Sequence, residues 1–427
     1  MPDRPAYWKL WLTVGLTAFA LRAAAAVWWQ SRLGADRLFF FPDSDTYWQL
    51  AKSLACGGPF QLGPDAQVVR TPAYPLLLAG TIYVFGDGSP GVVAARLLGA
   101  GLGAVTALLA GWWAGCLSNA GRDRQRIGLL AAALVCFYPG AIATSIFVLS
   151  EALFCPLMVA QLACWSWCHY RPSSSLSRLI GSSAVGGLGA LATLCRPSWL
   201  LFTPVAAVAW LGFGPRPASR VGAAGALLLG FTLVMLPWWV RNYAVTGHWV
   251  PTTLQVGASL YDGLNPHATG ASNMDFVPRF WDEERQRRQS RPSAVPLEVA
   301  VDRKMFQAAV AWARTHPVEV ARLAVRKFIR MWSPWPNDRQ LQQSYAAWIL
   351  AASYIFLLFP AVLGITRQWS AGWPVVLAVL PTIYLTALHV VFVGSVRYRE
   401  PAMLGWCVLA ALGVWHLVRV RSSGDRP

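Results

Sequence analysis

The chain has 427 residues, of which 56% are hydrophobic and only 13% are charged, and its mean hydropathy is +0.42. A soluble protein of this length would carry roughly 25% charged residues, so the composition excludes that class and indicates a membrane protein with many spans. The net charge of +17 is not accompanied by a basic stripe on a water-facing module, so we expect no nucleic-acid partner.

Ten apolar runs are long enough to cross a bilayer, which takes about 20 helical residues. The first run imitates a secretory signal, but it continues through Trp28 and Trp29, so we interpret it as an uncleaved helix. A further apolar stretch, Tyr74 to Phe85, is too short to cross and predicts a re-entrant or interfacial helix. The predicted fold class is an all-α polytopic membrane protein with about ten transmembrane helices. The runs cover residues 9–30, 92–117, 127–150, 152–169, 179–195, 197–213, 221–240, 345–366, 372–393 and 401–418.

Cationic loops orient the chain, because Lys and Arg in short loops favour the cytoplasmic side. With 74–85 not crossing, both termini are cytoplasmic and every short loop on that side is cationic. Making 74–85 a full crossing would place most of these loops outside, so we reject it. The arginines concerned are Arg122, Arg124, Arg126, Arg171, Arg178, Arg216, Arg220, Arg367, Arg419, Arg421 and Arg426.

This orientation divides the chain into three parts and predicts a multi-pass inner (plasma) membrane protein. Residues 1–241 form an N-terminal transmembrane catalytic module with an external loop, 31–91. Residues 242–342 form an external, periplasmic helical segment, and 343–427 form C-terminal transmembrane helices with a short cytoplasmic tail. In the external segment, a polar helix pattern and a basic amphipathic stretch from Val318 to Met331 indicate two helices on or above the outer membrane face. The polar pattern consists of Leu297, Val301, Met305, Ala308, Ala309 and Trp312.

A carboxylate stands at the start of a short amphipathic helix predicted in the first external loop. Apolar residues at 47, 50, 51 and 54 indicate that helix, and Asp43 lies at its beginning. Asp43 has two interpretations: an N-cap that accepts a backbone N–H, or a general base held at the membrane surface.

Several arginines map to the outer membrane boundary. Arg70 is suited to gripping a phosphate bidentately, whereas the ordinary alternative for each arginine is snorkelling to lipid headgroups. Glu151 lies between two apolar runs, where an unpaired carboxylate costs about 2–3 kcal/mol, so we expect Arg70 or Arg96 to pair with it. Arginines beside a carboxylate suit group transfer from a lipid-phosphate carrier, because they stabilise the departing phosphate while the carboxylate takes a proton.

The order of motifs resembles that of GT-C type membrane glycosyltransferases, over residues 10 to 415. It is similar to the bacterial relatives of protein O-mannosyltransferases and of the transferase that places aminoarabinose on lipid A. The motifs, in order, are Asp43-Ser44-Asp45-Thr46-Tyr47-Trp48-Gln49-Leu50-Ala51, Arg70-Thr71-Pro72-Ala73-Tyr74-Pro75, Tyr138-Pro139, Leu149-Ser150-Glu151, Leu194-Cys195-Arg196-Pro197-Ser198, Leu236-Pro237-Trp238-Trp239-Val240-Arg241-Asn242-Tyr243 and Arg397-Tyr398-Arg399-Glu400-Pro401.

The resemblance implies a polyprenyl-phosphate sugar donor, an external active site and inversion at the anomeric carbon. It implies that Asp43 is the catalytic acidic residue and that Arg70 binds the carrier phosphate. Where the relatives have an Asp-Glu pair this chain has Asp43-Ser44, and where they have Lys or His before two prolines it has Arg70-Thr71-Pro72. Donor and acceptor identities therefore do not transfer, and Asp45 is a rival base if the alignment is off by two.

We therefore expect a GT-C like glycosyltransferase that passes a sugar from a polyprenyl-phosphate carrier to an external hydroxyl of a protein, lipid or glycan, in contact with membrane lipid. The alternatives are a transporter or flippase of lipid-linked sugars, or a non-catalytic membrane scaffold. We expect no cofactor, and the spacing of the external histidines matches no metal-ligand motif. The expected catalytic residues are Asp43 and Glu151, and the expected substrate-binding residues are Asp45, Tyr47, Arg70, Tyr74, Arg96, Arg196, Arg241, Asn242 and Arg397.

Overall fold

The computed structural model describes residues 7–33, 38–118, 123–170, 174–212, 217–337, 342 and 345–424. Arg122, Arg171, Arg216 and Arg426, used above to orient the chain, lie outside the described residues, as does the side chain of Arg421. Within those ranges the protein is built from α-helices and short 3-10 turns, without a strand. The α-helices are α1 (Tyr7–Arg32), α2 (Pro42–Ala55), α3 (Ala73–Phe85), α4 (Ser89–Leu117), α5 (Arg124–Phe137), α6 (Pro139–Ile146), α7 (Glu151–Tyr170), α8 (Ser175–Cys195), α9 (Phe202–Trp210), α10 (Pro217–Thr246), α11 (Val256–Gly263), α12 (Val277–Ser290), α13 (Leu297–Thr315), α14 (Pro317–Trp332), α15 (Tyr345–Gln368), α16 (Trp373–Val391) and α17 (Val396–Gly424).

In the described part of the chain, eight helices are long and apolar enough to cross a membrane: α1, α4, α7, α8, α10, α15, α16 and α17. Each matches one of the ten predicted runs. The run 127–150 is a pair of helices, α5 and α6, bent by 62° at their junction, and this pair would make a ninth span. The run 197–213 yields only a short apolar helix, Pro197–Leu211. The predicted all-α polytopic membrane fold is confirmed.

The bend between α5 and α6 has a local cause. Pro139 cannot donate a backbone N–H, and it forces Tyr138 before it into an extended conformation, with φ −69° and ψ 115°. Carbonyl groups near the end of α5 then lose their helical partners. Arg22 of α1, which is fully buried, donates to two of these carbonyls, Val135 O at 2.9 Å and Cys136 O at 3.2 Å.

Helix α3 is the short apolar stretch that we predicted not to span. With 13 residues it is too short to cross a bilayer as a helix. It packs against α2, where the rings of Tyr47 and Tyr74 meet edge to face at 5.3 Å. Helix α3 also packs against α4 and α8.

The predicted helices of the second long segment are confirmed as α13 and α14. Helix α13 buries Leu297, Val301 and Met305. The carboxylate of Glu298 accepts the backbone N–H groups of Gln67 at 2.8 Å and Val68 at 3.1 Å. This contact fastens the second segment to the first, so residues 38–88 and 247–337 share one side of the molecule, called here the loop-rich face.

Candidate active site

Asp43 lies in the first turn of α2, but it does not cap the helix. The N-cap position is Phe41, and no side chain donates or accepts there. The carboxylate of Asp43 instead meets two guanidinium groups, Arg70 Nη2 at 2.7 Å from Oδ1 and Arg397 Nη1 at 3.4 Å from Oδ2. The capping interpretation of Asp43 is therefore wrong, and the carboxylate is paired with two arginines.

Glu151 begins α7 and is only 1% exposed. It has the cationic partners that its burial predicts, but they are not Arg70 or Arg96. Arg196 Nη1 lies 2.6 Å from Glu151 Oε1, and Arg397 donates from Nε to Oε1 at 2.5 Å and from Nη2 to Oε2 at 3.2 Å. Our expectation of a partner is confirmed, and our choice of partner is wrong.

Arg397 joins the two carboxylates into one group. We call Asp43, Glu151, Arg70, Arg196 and Arg397 the carboxylate–arginine cluster. Residues 43 and 397 are 354 positions apart in the chain, and they meet because α2, α7 and α17 all begin at the loop-rich face. Three guanidinium groups against two carboxylates leave the cluster with one net positive charge, which suits an anionic ligand.

The arginines of the cluster keep Asp43 ionised. Burial alone would favour the protonated acid, but the charges of Arg70 and Arg397 outweigh it and hold the pKa of Asp43 below its ordinary value. The carboxylate is thus present as an acceptor of protons and hydrogen bonds at neutral pH.

Aromatic rings hold the guanidinium groups in position. Arg70 lies 5.1 Å from the ring centroid of Tyr47, and Arg397 lies 5.3 Å from that of Phe41. Tyr398 lies between Arg196 and Arg397, at 5.4 and 5.8 Å. These cation–π contacts restrict the arginines without using their N–H donors.

Two aromatic residues of this region were missed as site residues. His389 stacks on Tyr398 with the ring centroids 4.2 Å apart. Tyr398 directly follows Arg397 in the same motif, and this adjacency could have identified Tyr398 from the sequence. His389 lies at the end of α16, and no sequence pattern connects it to the site.

A cavity of about 410 Å³ adjoins the cluster and is called here the Arg397 cavity. Glu151, Arg397 and Phe41 line it together with Arg330 of α14, whose approach was not predicted. Apolar side chains form much of the remaining wall: Phe147, Leu149, Leu350 and Val393. A cavity that joins guanidinium groups to an apolar wall suits a ligand with a charged head and a hydrocarbon tail.

Three predicted binding residues serve the fold in this structure. Arg96 donates from Nε to Gln30 Oε1 at 2.8 Å and from Nη1 to Ile146 O, at the end of α6, at 2.9 Å. Arg241 donates to Phe60 O at 2.8 Å. Asn242 is fully buried and donates to Val250 O at 3.0 Å. The hydrogen bonds of these three side chains all go to residues outside the cluster.

The other predicted binding residues lie close to the cluster. Tyr47 contacts Arg70, and Tyr74 is a buried neighbour of Tyr47. Asp45 is exposed, and its Oδ2 accepts from Gln49 Nε2 at 2.5 Å. The rival base therefore lies outside the cluster.

Among the described residues, no group of three or more His, Cys, Asp or Glu side chains is arranged to hold a metal ion. Asp43 and Glu151 both pair with the guanidinium of Arg397.

No protein-family model matches the chain, and no curated protein matches it in sequence. Solved structures match it in fold. The Archaeoglobus fulgidus oligosaccharyltransferase in the apo form has a TM-score of 0.61 at 14% identity, and the match covers 99% of this chain and 52% of that one. The archaeal oligosaccharyltransferase AglB from Archaeoglobus fulgidus was solved in complex with an inhibitory peptide and a dolichol-phosphate. It has a TM-score of 0.58 at 14% identity, and the match covers 97% of this chain and 52% of that one. ArnT from Cupriavidus metallidurans bound to undecaprenyl phosphate has a TM-score of 0.44 at 15% identity, and the match covers 99% of this chain and 80% of that one.

The chain spans about half the length of the oligosaccharyltransferase that it matches. At 14% identity the likeness concerns the fold, and it agrees with the resemblance drawn from the motifs. The chain therefore shares the fold of the Archaeoglobus fulgidus oligosaccharyltransferase, that of an all-α polytopic membrane protein.

Proposed function

We propose that the protein is a membrane glycosyltransferase that moves a sugar from a polyprenyl-phosphate carrier to a hydroxyl group on the external side of the membrane. The observation that carries this proposal is the carboxylate–arginine cluster, two members of which, Glu151 and Arg397, line the Arg397 cavity. The fold supports it, because AglB, of the same fold, was solved with a dolichol-phosphate.

In the proposed reaction, Asp43 acts as general base. The acceptor oxygen forms a bond to the anomeric carbon as the bond from that carbon to the carrier phosphate breaks, which inverts the configuration. The electron pair of the broken bond stays on the phosphate, and the hydroxyl proton passes to Asp43. The two oxygens of Asp43 are held by Arg70 and Arg397, which fixes the direction in which the carboxylate accepts the proton.

The departing phosphate needs cations that face the cavity. Arg397 and Arg330 line it directly, and Arg70 adds a third positive charge 2.7 Å from Asp43. We assign the phosphate to these three, because Arg96 and Arg241 are engaged elsewhere. Guanidinium groups stabilise charge that develops on phosphate oxygens in a poorly hydrated site.

We assign Glu151 a positioning role within this machinery. It is almost fully buried, and both of its oxygens accept from arginines. It therefore orients Arg397 toward the cavity and toward Asp43.

The loop-rich face is the external face in this proposal. The described arginines of the short loops at the opposite ends of the spans, such as Arg178 and Arg220, would then be cytoplasmic, in agreement with the positive-inside rule.

The test is to reconstitute the purified protein in liposomes with polyprenyl-phosphate sugars and a mixed acceptor pool, and to follow release of the free carrier phosphate. We expect release by the wild type and by the control Asp275→Asn, whose exposed side chain lies outside the site, and loss of release in Asp43→Asn. A flippase would move the intact carrier without cleaving it, and that result would contradict the proposal. If Asp43→Asn remained active while Asp45→Asn were dead, the assignment of the base would be wrong.

A further inference from the structure

A second hollow lies along α2, beside the cluster. This groove, the α2 groove, has a volume of about 570 Å³, within the range of roughly 300–1,000 Å³ that is usual for small-molecule sites. Helix α2 contributes Asp45, Trp48, Gln49 and Lys52 to its wall. These positions share one side of the helix by their spacing, whereas Asp43 and Tyr47, four residues apart, lie on another.

The groove and the Arg397 cavity meet at Phe41, which lines both. The ring of Phe41 lies 5.3 Å from the guanidinium of Arg397 and 5.1 Å from the ring of Phe147, a wall residue of the cavity. Asp43 follows Phe41 by two residues. The two hollows therefore meet at the start of α2, whose first turn also carries the proposed base.

The charge of the α2 groove is opposite to that of the cluster. Among the described residues, its lining contains the carboxylates of Asp45 and Asp87 and one cation, Lys52, which pairs with Asp87. One net negative charge disfavours a phosphate and any other anionic ligand. The donor phosphate therefore belongs in the Arg397 cavity, and the groove is left for the other substrate.

The polar groups of the groove are mostly acceptors of hydrogen bonds. Asp45 and Gln49 are held together at 2.5 Å, and they still offer free carboxylate and amide oxygens. The indole N–H of Trp48 is already committed to Asp87 O at 3.1 Å. A ligand that pairs with these acceptors must supply hydrogen-bond donors.

The remaining wall of the groove is aromatic. Phe39, Phe40 and Phe41 are half-buried and, with Trp48, line it. The faces of aromatic rings carry partial negative charge and attract the weakly positive C–H groups of a ligand. A sugar ring combines such C–H faces with hydroxyl donors at its edge, and it carries no charge.

From these features we infer that the α2 groove is the acceptor site and that the acceptor is an uncharged, hydroxyl-rich glycan. This inference rests on the proposed function, and it names the acceptor class that the proposed function leaves open. An attacking hydroxyl would reach the donor from the Phe41 end of the groove, where the groove meets the Arg397 cavity.

The inference is tested by binding measurements on the full-length protein in detergent, using saturation-transfer NMR. The probes are neutral oligosaccharides of hexoses, N-acetylhexosamines and pentoses, their uronic-acid counterparts, and a neutral Ser/Thr peptide. We expect the wild type to bind a neutral oligosaccharide in preference to the acidic counterparts and the peptide. The double variant Asp45→Asn/Gln49→Ala should lose at least about fivefold in affinity, as expected when hydrogen bonds to a ligand are removed, whereas Asp275→Asn should bind as the wild type does.

Both substituted side chains are exposed, so an unchanged apparent melting temperature verifies that the double variant is folded. Failure of every neutral oligosaccharide to bind, preference for the peptide, or equal binding by the double variant would overturn the inference.

Asp43→Asn separates the two proposals: it should keep oligosaccharide binding while losing transfer. Transfer that depends on Asp43 but not on Asp45 and Gln49 would overturn the acceptor site alone, and oligosaccharide binding without any transfer by the wild type would overturn the proposed function.

Discussion

At the scale of single residues, Arg397 shows how one side chain organises the site. It contacts Asp43 and Glu151 at once, and it also faces the cavity. A planar guanidinium can do this because its donors point in several fixed directions, whereas a lysine ammonium acts as a point charge. The site therefore depends on the geometry of its cations as well as on their charge.

The charge of Arg70 sets the pH range in which Asp43 can act. Burial favours the protonated acid, but Arg70 and Arg397 hold the pKa of Asp43 below its ordinary value, so the acid limb of kcat/KM should lie below that value. Arg70→Gln removes one of the two charges, so the pKa should rise and the limb should move to higher pH. Arg70→Lys keeps the charge and should move the limb less than Arg70→Gln. Identical limbs in the two variants would contradict this account of Asp43.

Glu151 stabilises the fold of the site through two arginines. Glu151→Gln removes the only negative charge that Arg196 is paired with in the described residues and leaves that guanidinium partly uncompensated. The loss of one partner from a buried ion pair costs about 3–5 kcal/mol. We expect a clearly lower apparent melting temperature in detergent, together with lower transfer. The exposed pair partner Glu319→Gln serves as control and should change stability by less than about 1 kcal/mol. Equal melting temperatures for the two variants would contradict the positioning role.

At the scale of elements, the two long segments of the loop-rich face hold each other. Leu254 N donates to Val68 O at 2.8 Å, and Arg70 donates to Gln255 Oε1 at 2.8 Å. The carboxylate of Glu298 also accepts the backbone N–H groups of Gln67 and Val68. These contacts together hold the segment that carries Arg70 in place. The position of Arg70 beside Asp43 is thus determined by a segment about 185–230 residues away.

Glu298 makes this junction sensitive to pH. Burial raises the pKa of Glu298 to about 7 from 4.5, although the N–H groups of Gln67 and Val68 oppose the shift. Between about pH 4.5 and pH 7 the folded state holds a proton on Glu298 that the unfolded state has released. The contribution of Glu298 to the free energy of unfolding should therefore fall as pH rises from about 4.5 to about 7, and stay level above. Glu298→Gln cannot ionise and should remove this dependence. Apparent melting temperatures of both proteins between pH 5 and 8 measure the effect, and parallel curves would contradict it.

The elements also explain why some of the arginines predicted at the site lie in the cluster and others do not. The spans follow from apolar runs, which are local, so they are well predicted. Arg96 was expected at the phosphate because it lies at a membrane boundary, but it binds the end of α6. That helix ends at Ile146, before the end of the apolar run 127–150, and hydropathy does not reveal where a helix ends inside an apolar run. The partner of Glu151 was missed because Arg397 is 246 residues away.

At the scale of the whole molecule, the account requires that the loop-rich face be external. Cys56 allows a direct test, because it is the exposed cysteine of that face, while the other seven are buried or partly buried. A membrane-impermeant maleimide should label the wild type in intact cells and should not label Cys56→Ser. In the Cys56→Ser background, Ser175→Cys at the start of α8 should be labelled only in inverted vesicles. The opposite pattern would place the site on the cytoplasmic side and contradict the orientation.

The division into three parts, 1–241, 242–342 and 343–427, remains a proposal at this scale. The first and third parts each supply members of the cluster, Asp43 with Glu151 and Arg397 respectively. The second part supplies Arg330 to the cavity. The site is therefore complete only when all three are packed together.

The central claim is that Asp43 takes the proton of the acceptor while the arginines around it hold the carrier phosphate. Separate measurement of donor binding and of single-turnover carrier release by Asp43→Asn tests it most directly. We predict that the variant binds a polyprenyl-phosphate sugar at least as tightly as the wild type, because the guanidinium groups remain, and that it releases the carrier about 10²–10⁴ times more slowly. Release at the wild-type rate, or loss of donor binding with normal release of what is bound, would contradict the claim.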